Sequence, residues 1–336
     1  MKTNTFILIT LFSIGFIQAQ DTKLLSLQEA IKTGITSSNQ AILADTKVKT
    51  SEWELKTVKN NQLPNVSLSG QFFKLTQANA KGNLIPASGG NLDISQLAIG
   101  QANATIPVFN GFKIQNSIKA SKNLNQAEIS NAQHTKEQIA LYITQLYFSL
   151  YKTQQMIALT EDYLKSAHQR VIDFQALDHN DLLKAQLQES DIELSLATAK
   201  KNNSVLNYQL VTFLQLPEGT KILIPDNEFS PIQTTSDFSV ARKDLEALNF
   251  AKLVAKNNIK IAQGNYYPSL NLIGGYIALD VKNALTVTNA MNFGAGISYD
   301  VSSIFKNKKK IKKAKSQALE TESQIAILND KIKEEI

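Results

Sequence analysis

Three histidines are the first candidates for acid–base or metal chemistry, and His134, His168 and His179 share no metal-ligand spacing. Cysteine is absent, which removes disulfides, thiolate nucleophiles, Cys-ligated zinc and an acylated N-terminal cysteine. The chain holds no Gly-rich phosphate loop, no Gly-x-Ser-x-Gly and no His–carboxylate motif. Glu52, Asp162 and Asp173 read as solvated helix positions, and Trp53 as a packing or interface residue. No catalytic, cofactor-binding or metal-binding residue is expected, and no enzyme. The densest charge is a run of lysines, Lys306, Lys308, Lys309, Lys310, Lys312, Lys313 and Lys315, in a chain of net charge +6. Such a run can hold nucleic acid, but an exported chain does not meet any, so a solvated basic helix start near a membrane surface is expected.

Export is written at the beginning. Lys2 precedes the apolar run Phe6–Ile17, and Gln18-Ala19-Gln20 precedes Asp21. This is the pattern of a secretory signal, residues 1–19, cleaved after Ala19 or Gln20, and it is too short to span a bilayer.

With no chemistry to position, the elements themselves carry the information. Leu63-Pro64-Asn65-Val66-Ser67-Leu68-Ser69-Gly70 recurs as Tyr267-Pro268-Ser269-Leu270-Asn271-Leu272-Ile273-Gly274, and Ala104–Val108 matches Ile297–Val301. The order helix, strand, loop, strand, helix is thus written twice. The first copy covers 20–216, with strands at about 65–75 and 99–108, a long helix 111–176 and a return helix 181–216. Residues 217–238, with Pro217, Gly219, Pro225 and Pro231, form an extended linker. The second copy covers 239–336, with strands at about 269–279 and 292–302.

All four strands alternate. Val66, Leu68, Gly70 and Phe72 oppose Ser67, Ser69 and Gln71; Ala102, Ala104, Ile106 and Val108 oppose Gln101, Asn103 and Thr105. Leu270, Leu272, Gly274 and Tyr276 oppose Ser269 and Asn271, though Ile273 and Ile277 blur that polar face, and Phe293, Ala295, Ile297, Tyr299 and Val301 oppose Asn292, Ser298 and Asp300. A half-buried soluble sheet alternates in the same way, but strands of about nine to eleven residues also suit a tilted membrane crossing. Tyr276 and Tyr299 could belong to an interfacial aromatic girdle or to ordinary strand packing.

The helices favour the membrane. Between Gly111 and Gln175 there is neither Pro nor Gly, which predicts a rod of roughly 100 Å. Ile143, Leu150, Ile157, Leu164 and Val171 repeat every seventh residue, flanked by Ile139, Leu146, Ala167 and Phe174, a coiled-coil seam. The return helix carries Leu196, Ala199, Leu206, Leu210 and Phe213, and a first helix starts at the capping box Ser26-Leu27-Gln28-Glu29 and runs to about Leu63. Four strands cannot close a membrane barrel, and open edges are not tolerated in lipid. Several copies must therefore pool strands, with apolar rows toward lipid and Ser67, Ser69, Gln71, Gln101, Asn103 and Thr105 toward water. The lipid-facing residues are expected to be Val66, Leu68, Phe72, Ala102, Ala104, Ile106, Leu270, Leu272, Phe293 and Ile297.

Leu25–Ile31, Leu63–Ser69, Ile106–Gly111, Asn180–Gln186, Phe213–Pro217 and Tyr267–Leu270, in that order over residues 24–315, resemble TolC-type outer membrane efflux proteins. The resemblance implies a fold that is mostly α with membrane β. It implies a homotrimer with a twelve-stranded outer-membrane β-barrel and a periplasmic helical tunnel. It further implies partners, a periplasmic adaptor protein and an inner-membrane transporter, for efflux or type I secretion, with no cofactor. The turn Phe174–Asp181 would be the periplasmic tip, with Asp178, His179, Asn180 and Asp181 as adaptor contacts. It is shorter than the family's tip and lacks its Gly-Leu pair, and Asp181 is expected as an N-cap. Only 35 residues follow Val301, so the second helical hairpin is expected to be cut off at Ile336, in a truncated homologue that need not seal a channel. The alternatives are a periplasmic adaptor, which would show Gly-rich short-stranded domains rather than a doubled unit, and a coiled-coil filament protein, which would leave the strands unexplained.

Overall fold

The computed structural model describes residues 22–80, 92–175, 179–225, 242–282 and 285–335. The secretory signal, residues 226–238 of the linker and Asp178 lie outside them. Among the described residues no helix is long and apolar enough to cross a membrane. The elements run β1 (Thr22–Leu24), α1 (Leu27–Ser37), α2 (Asn39–Asn60), β2 (Asn65–Ala80), β3 (Leu92–Asn110), α3 (Lys113–Phe174), α4 (His179–Phe213), β4 (Lys221–Leu223), α5 (Lys243–Gln263), β5 (Ser269–Val281), β6 (Leu285–Ser298) and α6 (Ser303–Glu335). The helix α3 is 62 residues long, about 90 Å at 1.5 Å per residue. The chain divides into two compact units, with α2 and α3 contributing to both.

The first unit holds residues 22–43 and 135–225 of the described chain. Its core is the seam of α3, where Ile139, Ile143, Leu146, Tyr147 and Leu150 are buried with Leu25, Leu210, Leu214 and Ile222. Each such aliphatic side chain contributes about 1.5–3 kcal/mol by leaving water. At the start of α1, Ser26 Oγ accepts the Glu29 amide at 3.2 Å. The single first helix expected to about Leu63 is instead two helices. Ser38 turns extended (ψ 145°), donates its N–H to the Gly34 carbonyl and accepts the Ala41 amide on its hydroxyl at 3.2 Å. One serine thus ends α1 and caps α2. Gly34 permits the close packing, since a Cβ there would collide with Ile143 Cδ1.

The start of the linker forms a strand, β4. β4 pairs in parallel with β1, Lys23 opposite Ile222. The Asn207 side chain clamps it, donating to the Thr220 carbonyl and accepting the Ile222 amide, both at 2.8 Å. Gln154 donates to the Ile222 carbonyl at 2.9 Å, and the buried Tyr147 hydroxyl to the Leu25 carbonyl at 2.8 Å. Side chains here supply partners that two three-residue strands cannot supply alone.

The second unit holds 44–134 and 242–335 of the described chain. Its four strands form one antiparallel sheet in the order β2-β3-β5-β6. At 16 and 19 residues, β2 and β3 outrun the nine to eleven residues expected of each. β6 begins and ends earlier than expected, so Tyr299, Asp300 and Val301 leave the sheet. Asp300 Oδ1 accepts the Ser302 amide at 3.0 Å and hydroxyl at 2.7 Å, an Asx-type turn that starts α6. The Ser302 hydrogen bonds hold the Asp300 carboxyl below its usual range. α5 packs on α6. Arg242 joins Asp244 at 2.8 Å and also Glu335, Lys252 meets Glu322 at 3.1 Å, and the buried Asn307 donates to the Ala262 carbonyl at 2.8 Å. The Arg242 hydrogen bond holds the Asp244 carboxyl below its usual range.

Candidate functional site

The ladder register decides what each face of the sheet carries. Val66 lies opposite Ala104 and Leu68 opposite Ala102; Ala102 and Ala104 lie opposite Tyr276 and Gly274; Leu270, Leu272 and Gly274 lie opposite Ile297, Ala295 and Phe293. Residues directly opposed in an antiparallel pair share a face. The ten residues expected toward lipid therefore stand on one face, across all four strands. Ser67, Ser69, Gln71, Gln101, Asn103 and Thr105 stand on the other, joined by Gly275, Asn292 and the Ser269–Ser298 pair.

Among the described residues neither face of the sheet is covered. On the apolar side Leu68 is 81% exposed, Phe293 87% and Ile297 76%, and Val66, Phe72, Ile106 and Leu272 are exposed as well. Leu68, Phe293 and Ile297 forgo most of the roughly 1.5–3 kcal/mol that burial would yield, and such a contiguous patch marks a surface that meets protein or lipid. The edge strands β2 and β6 have each one partner among the described residues, so each offers a row of free backbone donors and acceptors.

On the polar face, a Cβ at Gly275 would fall 2.7 Å from Asn292 Oδ1 and 2.9 Å from Asn103 Oδ1. The glycine leaves room for two amide side chains to meet over the strand. The Ser269 and Ser298 hydroxyls lie 2.7 Å apart at the helix-proximal end of this face. The face is not wholly polar: Ile273 lies on it opposite Thr105, and Ile99, Ile277 and Leu279 share it farther from the helices.

The corner between sheet and helices is held by glycine and aromatic rings. Gly111 (φ 58°) and Phe112 (φ 61°) both take the left-handed conformation at the β3–α3 turn. A Cβ on Gly111 would run into the Gly264 carbonyl, and one on Gly264 would lie 2.6 Å from the Gly111 carbonyl. The two repeats thus cross backbone to backbone where only glycine fits. Phe109, Phe112 and Tyr267 stack edge to face around the crossing, with centroids 5.1–6.4 Å apart.

At the other end of α3, His179, Asn180 and Asp181 lie in the exposed first turn of α4. Asp181 is not the N-cap: it lies inside the helix and pairs with Lys184 at 3.2 Å, in a position that still suits the helix dipole. Nearby, His168 Nδ1 meets Glu189 Oε1 at 2.7 Å and Arg170 donates to Gln188 at 3.2 Å. The sequence reading missed these cross-hairpin pairs, whose only signal is their equal distance from the turn. Among the described residues no three His, Asp or Glu side chains gather as a metal site would require.

No protein-family model and no curated protein matches the sequence. Solved structures do match in fold. The outer membrane channel CmeC of Campylobacter jejuni superposes with a TM-score of 0.76 at 15% identity, over 98% of this chain and 76% of that one. CusC, described in connection with folding and transmembrane channel formation, gives 0.73 at 14% identity, over 91% and 74%. The open state of the MtrE outer membrane channel of Neisseria gonorrhoeae gives 0.69 at 18% identity, over 89% and 70%. The chain has the fold of these channels, mostly helical with one four-stranded antiparallel sheet.

Proposed function

We propose that this chain is a subunit of an outer-membrane channel of the TolC type and a passive conduit for export. The observation that carries this reading is the sheet. Among the described residues it has one face of apolar rows, bounded far from the helices by Lys74, Gln96, Asp280 and Thr286, a largely polar opposite face, two unpaired edges and no cover on either side. In water such a sheet is a liability; in lipid an open edge is worse, because the backbone groups find no partner. Pairing β2 of one copy with β6 of the next satisfies both edges and puts the apolar rows toward hydrocarbon.

A membrane barrel needs at least eight strands, so two copies are the minimum and three give the twelve that the family resemblance implies. The assembly then places Val66, Leu68, Phe72 and Phe293 toward acyl chains and Ser67, Ser69, Gln101 and Asn103 toward water. The long α3 would continue the wall into the periplasm. Its partners would be an adaptor protein, met at the α3–α4 turn by Asp178, His179, Asn180 and Asp181, and an inner-membrane transporter. A periplasmic adaptor explains the hairpin of α3 and α4 but not an uncovered amphipathic sheet.

The test is cell fractionation followed by unheated electrophoresis in sodium dodecyl sulfate. The channel reading expects a heat-dissociable oligomer in the outer-membrane fraction. Recovery as a soluble periplasmic monomer would refute it.

A further inference from the structure

Seven lysines open α6 in a ten-residue stretch, and the channel architecture does not use them. The structure sorts them. Lys306 and Lys310, one turn apart on α6, line a cavity of about 200 Å³ together with Lys113 from the start of α3 and Asn265, Ser269 and Ser298. Lys308 and Lys309 do not line it. A water occupies roughly 30 Å³, so the space admits a tetrahedral oxyanion with its nearest waters.

The cavity is built rather than incidental. Lys113 Nζ donates to Asn265 Oδ1 at 3.2 Å, Ser303 Oγ donates to the Asn265 carbonyl at 3.0 Å, and the Asn307 side chain, 1% exposed, is tied to the Ala262 carbonyl. These bonds fix Lys113, Asn265 and Asn307 on the wall, and Lys306 and Lys310 join them from successive turns of α6. Among the described residues none of the three lysines has an ion-pair partner within 4 Å. The one carboxylate on the wall, Asp300, accepts two hydrogen bonds from Ser302 and stays ionised beside Lys306, so the lining carries three positive charges against one negative. Three like charges so placed repel one another, and a doubly charged oxyanion relieves that repulsion while accepting charge-assisted bonds from each.

We propose that this cavity binds a phosphate-type oxyanion, gripped by Lys306 and Lys310 and completed by Lys113, Asn265, Ser269 and Ser298. Ser269 and Ser298 end the polar row of the sheet, so the anion is a water-borne solute rather than a lipid headgroup. Resting on the channel reading, the site then lies on the wall of the conduit, repeated in each copy, and biases it toward anionic solutes.

Inorganic phosphate titrated calorimetrically into the full chain in detergent at low salt tests the site. Lys306→Gln with Lys310→Gln should weaken binding at least about tenfold, the loss of one or more hydrogen bonds to charged groups. Lys308→Gln with Lys309→Gln, which removes the same charge from the same helix, should change it less than about twofold, since exposed charges act weakly. Arginine at 306 and 310 should restore binding. Equal losses in both glutamine pairs would overturn the proposal, as would binding to phosphatidylglycerol vesicles with none to inorganic phosphate. In planar bilayers under a potassium chloride gradient, the 306/310 glutamine pair should shift the reversal potential toward that of potassium. Conductance without that shift refutes the placement on the conduit wall. Phosphate binding without any conductance refutes the channel reading and leaves the site standing.

Discussion

In the first unit, Leu150, Leu210 and Leu214 are sealed from solvent, whereas on the sheet of the second unit Leu68, Phe293 and Ile297 stand in the open. The two regions draw on the same apolar residue types and are folded in opposite senses. The first surrounds a core that one chain completes: helices α1, α3 and α4 close over it and the β1–β4 pair is clamped by Asn207. The second leaves its sheet incomplete in two directions, face and edge. Helices also expose single apolar residues such as Leu141, Leu187 and Leu194, but on the sheet Leu68, Phe293 and Ile297 stand exposed together on one face of one ladder. On the proposed channel reading, the apolar face meets hydrocarbon and the edges meet another copy.

The comparison is sharpened most by a buried truncation. Leu210→Ala in the first unit should cost about 2–5 kcal/mol of stability, read as a lowered urea midpoint. Leu68→Ala on the sheet should change stability by less than about 0.5 kcal/mol and so barely move that midpoint. A charge reverses the order of importance once lipid is present. Leu68→Arg should oppose membrane insertion by about 2–4 kcal/mol, read by partition into vesicles, while Ser69→Lys on the opposite face should insert almost as well as the unmodified chain. Equal effects of the two would break the assignment of faces.

Gly111→Ala tests the corner between the sheet and the helices of the second unit. It combines a left-handed residue with a collision on the Gly264 carbonyl and should cost more than about 1–3 kcal/mol, with loss of the assembled oligomer. The smallest effect lies in the α5–α6 clamp. The Asp244 carboxyl is held below its usual range by Arg242, so its stabilisation is present above the ordinary carboxylate pKa of about 3.9 and is lost as pH falls through the lower folded value. Between neutral and strongly acid pH, Asp244→Asn should flatten the dependence of stability by well under 1 kcal/mol, read as a shallower slope of thermal midpoint against pH.

What could be read from the chain alone was what repeats. Period two showed in Val66–Phe72 and Gly100–Val108, and the seven-residue seam of α3 needed only its own spacing. What escaped lacked a period. β1 and β4 have three residues each, and they exist because Asn207, Gln154 and Tyr147 satisfy the backbone around them. The break at Ser38 depends on one hydroxyl that turns back on the chain, and the early end of β6 on the same habit in Asp300. The His168–Glu189 pair joins two helices whose relative register is set only once the turn between them forms. The cavity between Lys113 and Lys310 required knowing that residues far apart in sequence meet, and which lysines of a run face inward.

The chain contains no cysteine, so single cysteines can report each face without a background. In the reconstituted assembly, cysteine at Ser69 and Asn103 should react with a water-soluble maleimide, while cysteine at Leu68 and Phe293 should resist it and carry a fluorophore quenched by lipid-dissolved spin labels. That alternation, residue by residue, is the predicted result. Cysteines at 68 and 293 that resist the maleimide and also escape lipid quenching would show a sheet packed inside protein, and would contradict the account.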